Sequence, residues 1–262
     1  MKFADEDVES YIARLPPSEG LAAGFRAWGL EYRWFALLTT VTGNVAAMLA
    51  GTIINVAIPD IMGAFGISQA DAQWLSTANL AAATVSMLAS SWMVRVLGLR
   101  QTVNISMCLL LAGSLLGGLA NNTDVMIVSR VMQGITAGVL TPLSTMIIFQ
   151  VFLPGKPGIA IGVSTVGIIL APAIGPAIGG ILIDTFNWRY VFYLGIPFSL
   201  ITLAASFAFM PARQALATRV PFDWNGMIVL SLALIALLVG LSNGEKDGWG
   251  SDFILGCLAV AL

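Results

Sequence analysis

Apolar residues occur along the chain in long blocks separated by short polar breaks. Each block approaches the roughly 20 residues that an α-helix needs to cross a hydrocarbon core about 30 Å thick. The pattern predicts seven complete spans, near 34–59, 73–97, 102–120, 125–153, 159–183, 190–210 and 224–241. An eighth begins at about Asp252, and its apolar run from Phe253 to Leu262 is about half as long as a crossing requires. The expected fold is therefore an all-α polytopic membrane protein. Residues 1–33 are expected to form a cytoplasmic tail and 34–211 a first six-helix bundle. Residues 212–223 follow as a cytoplasmic loop, and 224–262 as a seventh helix with the start of an eighth, truncated in mid-helix.

The tail opens with Asp5, Glu6, Asp7 and Glu9, the reverse of the basic start of a signal peptide. Early acids, a late Arg14 and Pro16-Pro17 suit a short helix stopped by proline. Leu21, Phe25 and Trp28 then recur at helical spacing beside Arg26 and Arg33. Two readings stand side by side, an interfacial amphipathic segment and an unstructured tail.

Charge in the loops sets the orientation, because lysine and arginine are retained on the cytoplasmic side. With the N-terminus inside, Lys2, Arg14, Arg26, Arg33, Arg95, Arg100, Lys156, Arg213 and Arg219 are cytoplasmic, while Arg189 and Lys246 lie outside. Asp60, Asp71, Asp124, Asp184, Glu245, Asp247 and Asp252 then fall at the outer face. The expected location is the cell membrane, the inner one where there are two.

Composition agrees: 58% of residues are hydrophobic and 10% charged, with a mean hydropathy of +0.89. Such a chain needs lipid as its solvent. A net charge of −2 supplies no footprint for nucleic acid. With no histidine, imidazole is excluded as ligand, base or proton relay. Cys108 and Cys257 lie inside apolar runs, where a thiol behaves as a small hydrophobe. No cofactor or metal site is expected, and an embedded enzyme would need clustered His, Asp, Glu or Cys at depth. A seven-helix receptor fits neither the inside N-terminus nor the eighth helix. Gly155-Lys156 is followed by Pro157, so the one resemblance to an ATP-binding P-loop fails, which leaves an ion gradient as the energy source.

One charge lies clearly within a span, Arg130, and an intramembrane charge is a functional-site hypothesis by default. Gln133 and Gly134 fall on the same helix face, with Ala137, Gly138 and Thr141 extending it. Gly134 and Gly138 are spaced for close approach of another helix. Arg130 either lines a cavity or snorkels to the outer interface. On the first span, Asn44, Thr52 and Asn55 fall within roughly a quarter turn, as a polar face toward substrate or as interhelical hydrogen-bonding groups. On the fifth, Gly167, Ala171, Gly175 and Gly179 are spaced by four, with Pro172, Pro176 and Gly180 one position on. That nearly bare face is either a packing stripe or a hinge or seal between two halves of a transporter.

Gly167, Gly175-Pro176-Ala177-Ile178-Gly179-Gly180, Asn187-Trp188-Arg189-Tyr190-Val191-Phe192 and Ile196-Pro197 resemble the antiporter signature of major facilitator drug exporters. Arg130-Val131-Met132-Gln133-Gly134, with Ala137-Gly138 and Pro142-Leu143, is similar to the fourth-helix motif of that superfamily. Thr52-Ile53-Ile54-Asn55-Val56-Ala57-Ile58-Pro59 is similar to the first-helix motif of its fourteen-helix drug:proton antiporter branch, the EmrB/QacA type, which Asp223-Trp224, Gly244 and Trp249 also resemble. Gly98 and Arg100 match the superfamily's cytoplasmic gating loop, but Arg95 stands where its Asp is usual. Ala50 stands in place of the first-motif Asp, so that intramembrane carboxylate is missing.

The resemblance implies two six-helix bundles rocking about a midplane site and proton-coupled export of hydrophobic drugs or toxic compounds. Its partners would be the substrate, protons, the lipid bilayer and, in a Gram-negative cell, a periplasmic adaptor protein. The alternative is a major facilitator exporter or importer of a specific metabolite.

Overall fold

The computed structural model describes residues 8–16, 18–153, 157–211 and 221–261, the side chains of 245–247 excepted. Lys2, Asp5, Glu6, Asp7, Pro17, Lys156, Arg213 and Arg219, with most of the 212–223 loop, lie outside the described residues, as do the side chains of Glu245, Lys246 and Asp247.

Among the described residues every regular element is helical: α1 (Val8–Ile12), α2 (Glu19–Trp28), a short 3-10 turn (Gly29–Glu31), α3 (Tyr32–Phe65), α4 (Gln69–Leu97), α5 (Leu99–Gly118), α6 (Thr123–Val151), α7 (Gly158–Thr185), α8 (Tyr190–Tyr193), α9 (Gly195–Phe209), α10 (Trp224–Asp247) and α11 (Asp252–Ala261). Among the described residues seven segments are long and apolar enough to cross a membrane: α3 with α2 before it, α4, α5, α6, α7, α8 with α9, and α10. Their outward surfaces carry large exposed apolar side chains such as Leu80, Ile169, Ile181, Phe207 and Val229, which lipid can cover and water cannot.

Local chemistry sets the helix ends. Ser68 and Asp71 form a reciprocal capping box at the start of α4, satisfying two otherwise orphaned donors. The Asn122 side chain accepts from Val125 N at 2.9 Å to start α6, and Asp223 accepts from Gly226 N at 2.8 Å to start α10. Gly66 closes α3 with φ 64°, a left-handed cap that favours glycine. The sixth predicted span is interrupted at Leu194 between α8 and α9.

Three apolar clusters fill the bundle. The first joins Tyr11, Phe25, Tyr32 and Leu37 to Ile147, Val151 and Met210. The second gathers Ala46, Ala47, Met107, Leu110, Leu140 and Leu143. The third brings Ile53, Ile54, Ile61, Leu75 and Met126 to Trp188 and Phe192. Because each draws on α3 and α6, these two helices form the axis on which the others pack. α4 lies most extensively on α6, and α7 on α3.

The described residues before α3 dock on the bundle. The Tyr11 hydroxyl donates to the Val151 carbonyl at 3.0 Å, Phe25 packs edge-on to Tyr32 at 5.0 Å, and Trp28 packs edge-on to Phe209 at 5.3 Å. Leu21 and Phe25 are buried, so the amphipathic face predicted for this segment rests on the ends of α3, α6 and α9. A hydrogen bond from Arg26 holds the exposed Glu9 carboxyl below its ordinary value. At the far end of the chain α10 and α11 pack on each other, and α10 reaches the bundle through α4. Thr77 and Ser242 lie 3.3 Å apart there, and Trp92, Phe222 and Trp224 form an aromatic triad.

Candidate functional site: a carbonyl-bound arginine between three helices

Arg130 lies on α6 about 10 Å along the axis from Thr123 at about 1.5 Å per residue, and it is 1% exposed. The side chain does not snorkel. Its Nε donates to the Leu75 carbonyl of α4 at 3.2 Å. Nη1 donates to the Ala50 carbonyl of α3 and to Gln133 Oε1, each at 2.6 Å, and Nη2 donates to the Gly51 carbonyl at 3.1 Å. Gln133 in turn donates to Ser114 Oγ on α5 at 3.4 Å. One guanidinium thus ties α3 and α4 to α6, and through Gln133 reaches α5. Each acceptor is neutral. Burying a cation costs several kcal/mol (about) even after relaxation, and charge-assisted hydrogen bonds of roughly 1.5–3 kcal/mol each offset that cost.

The glycines predicted beside Arg130 set how closely α4 approaches. A Cβ at Gly134 would fall on the Asn79 carbonyl oxygen, and one at Gly138 on the Ala83 carbonyl oxygen and Ser86 Oγ. Backbone therefore meets backbone along this seam. Asn79 reinforces it by donating from Nδ2 to the Arg130 carbonyl at 3.0 Å, and Ser86 by donating to the Ile135 carbonyl at 3.1 Å.

The first-helix trio does not converge. Asn44 is fully buried toward α6, donating to Ser144 Oγ at 2.6 Å and to the Leu140 carbonyl at 3.3 Å. Thr52 donates to its own helix at the Met48 carbonyl, 2.9 Å away, and lies beside Gly175 of α7. Asn55 is exposed and accepts from Ser76 Oγ of α4 at 3.0 Å. Groups that share a quarter turn on the wheel meet three different neighbours because several helices pack on α3 at different heights along its length. Asn55 lies four residues from Gly51 on the same face, and its partner Ser76 follows Leu75, whose carbonyl binds Arg130.

The glycine row of α7 is directed at α3. A Cβ at Gly167 would meet Val41, one at Gly175 would lie 3.0 Å from Thr52 Oγ1, and one at Gly179 would lie 2.7 Å from Ile53 Cγ1. This face is thus packed against α3 within the described bundle. Pro176 faces outward, and a Cβ at Gly180 would meet nothing within 4 Å.

The predicted gating-loop residues are also locally engaged. Gly98, at φ 83°, joins α4 to α5, a conformation other residues rarely adopt. Arg100 donates from Nε and Nη2 to the Met210 carbonyl at 2.8 and 2.6 Å, fastening the start of α5 to the end of α9.

Sequence reasoning passed over Asn79, Ser76 and Ser114. The available signal was the one used for Asn44, a carboxamide or hydroxyl inside an apolar run. The carbonyls of Ala50, Gly51 and Leu75 carry no such signal, since any residue supplies one.

The described residues thus form an apolar helical bundle that holds a buried charged node between α3, α4 and α6. The model of the Major Facilitator Superfamily matches residues 40–258, and the chain belongs to that superfamily. It is 32% identical over its full length to the tetracenomycin C resistance and export protein of Streptomyces glaucescens, covering 47% of that protein. It is 30% identical to the multidrug export protein EmrB of Haemophilus influenzae over 81% of this chain and 42% of that one. The chain thus spans a little under half the length of these curated relatives. A solved peptide transporter, POT, superposes with a TM-score of 0.61 at 16% identity, over 96% of this chain and 52% of its own, a likeness of fold.

Proposed function

We propose that this chain supplies one bundle of a secondary active transporter that exports small hydrophobic compounds at the expense of a proton gradient, in a cell membrane with its N-terminus in the cytoplasm. The observation that carries the reading is Arg130: buried, held by carbonyls of two neighbouring helices, and backed by the polar wall of Asn55, Ser76 and Asn79. Ionisable groups at membrane depth serve substrate and ion pathways far more often than packing. The relatives named as drug exporters support the export direction. A periplasmic adaptor would complete the path in a Gram-negative cell. The coupling carboxylate lies elsewhere in the transporter, because Ala50 occupies the first-motif position and no Asp or Glu lies deep within the spans.

Efflux of fluorescent hydrophobic dyes from vesicles bearing the full-length protein tests the reading. Export should collapse when a protonophore is added. Dye efflux that ignored the protonophore would remove proton coupling, and the absence of any efflux would remove the exporter.

A further inference from the structure

The guanidinium of Arg130 has five N–H groups, and four of them meet acceptors: Leu75 O, Ala50 O, Gln133 Oε1 and Gly51 O. The fifth, on Nη2, has no protein acceptor among the described residues. No carboxylate there lies within ion-pair distance of the group either, so its full positive charge stays uncompensated at membrane depth. Neutral dipoles stabilise such a charge only in part, and a buried cation gains most from a counter-ion.

Nη2 binds the Gly51 carbonyl, so the buried guanidinium lies against this glycine. That residue is partly exposed, and a Cβ built on it would meet a single neighbour, Asn79 Oδ1, at 3.6 Å. The absent side chain therefore leaves a notch beside the guanidinium. Four residues on, and hence about 5–6 Å away on the same helix face, the exposed Asn55 accepts from Ser76 through Oδ1. Its Nδ2 donors have no protein partner among the described residues. Two sets of N–H donors, one charged, flank one gap. Asn79 Oδ1 bounds its far side as an acceptor, and the Asn79 amide nitrogen is committed to the Arg130 carbonyl.

We propose that this notch binds the anionic group of the transported compound: a carboxylate paired with Arg130 Nη2 and accepting from Asn55 Nδ2, so that the preferred substrates are small amphiphilic acids. The inference rests on the transport reading above and narrows its substrate class. Planar guanidinium geometry suits a carboxylate, and a helix face without a side chain at Gly51 lets that group approach.

The test uses full-length protein in phosphatidylcholine nanodiscs and a matched pair of probes, 4-butylbenzoate and 4-butylbenzyltrimethylammonium, titrated calorimetrically. Zwitterionic lipid keeps bilayer headgroups from supplying the anion. The wild type should bind the benzoate at least about tenfold more tightly than the cation, the size of one charge-assisted hydrogen bond. Arg130→Gln, which keeps donors but removes the charge, should erase that preference. Gly51→Ala should weaken the benzoate alone, and its new methyl makes only an ordinary contact, so folding is retained even if Arg130→Gln does not insert. Ala50→Asp adds a carboxylate to the residue whose carbonyl accepts from Nη1 and should invert the preference toward the cation. Equal binding of the two probes, preference for the cation, or an unchanged benzoate affinity in Gly51→Ala would overturn the proposal. Protonophore-sensitive dye efflux from sealed phosphatidylcholine vesicles bearing the same protein would meanwhile leave the exporter reading standing, so the two failures are distinguishable.

Discussion

Two glycine pairs at the same four-residue spacing behave differently in this bundle. Gly134 and Gly138 on α6 face the backbone of α4, where an added Cβ would fall on main-chain oxygens. Gly175 and Gly179 on α7 face side chains of α3, Thr52 and Ile53. A side chain can change rotamer at a cost of order 0.5–1.5 kcal/mol, but a helix carbonyl moves only with its helix. Spacing alone therefore does not rank small-residue contacts; the part of the neighbour they meet does. The tighter seam is also the one that carries Arg130, whose own carbonyl is bonded by Asn79 across it. Close approach and the polar node are one construction.

The largest effect is expected at that seam. Gly138→Leu or Gly134→Leu should separate α4 from α6 and cost more than about 4 kcal/mol, the range reached only when packing is broken outright. Immunoblots of membrane fractions should show the full-length variant nearly absent, and normal abundance would mean the seam is looser than described. Gly175→Leu or Gly179→Leu should be milder, about 1–3 kcal/mol of overpacking. These variants should remain in the membrane yet lose export, because α7 is pushed off α3. Full export by both would reduce the α7 signature to mere packing. The smallest effect belongs to Gly180→Ala, whose methyl enters open space and should leave thermal stability within about 0.5 kcal/mol. A large loss there would place an unseen neighbour at that face.

Most of the fold was readable from hydrophobic block length alone. The seven spans fall close to the predicted limits, and the caps at Ser68, Asn122 and Asp223 account for several of their ends. The break at Leu194 between α8 and α9 was passed over, although Gly195 and Pro197 mark it: Pro197 has no N–H to donate to the Tyr193 carbonyl, four residues back. Site geometry was harder to read. Arg130, Gln133 and Gly134 are brought together because they share one short stretch of one helix, for which i, i+3 and i+4 spacing is a reliable guide. Asn44, Thr52 and Asn55 span three turns, over which each meets a different partner helix. Arg130 binds main-chain oxygens, to which sequence is blind, and only the assembled bundle reveals them. The direction of the α7 glycine row likewise depends on which helix packs beside it, a tertiary fact that a stripe of small residues leaves open.

Topology offers an independent check of the frame. Reporter fusions after Lys156 and Arg213 should read as cytoplasmic and those after Asn122 and Lys246 as external, following the loop charges. The inverted pattern would overturn the orientation.

The account turns on Arg130 being used in transport and not merely buried. Its acceptors include three main-chain carbonyls within helices, so removing it strands no carboxylate. The loss of stability should therefore stay below the roughly 3–5 kcal/mol seen when one partner of a buried ion pair is deleted. The direct measurement is the transport rate per inserted molecule of full-length Arg130→Ala and Arg130→Lys in proteoliposomes, alongside their thermal stability. The account predicts a fall of at least about tenfold in rate for Arg130→Ala, equivalent to about 1.4 kcal/mol or more in the barrier. Inserted protein should stay largely preserved, and lysine, which lacks the planar fork, should give little rescue. An unchanged rate in Arg130→Ala, or a loss explained wholly by missing protein, would contradict it.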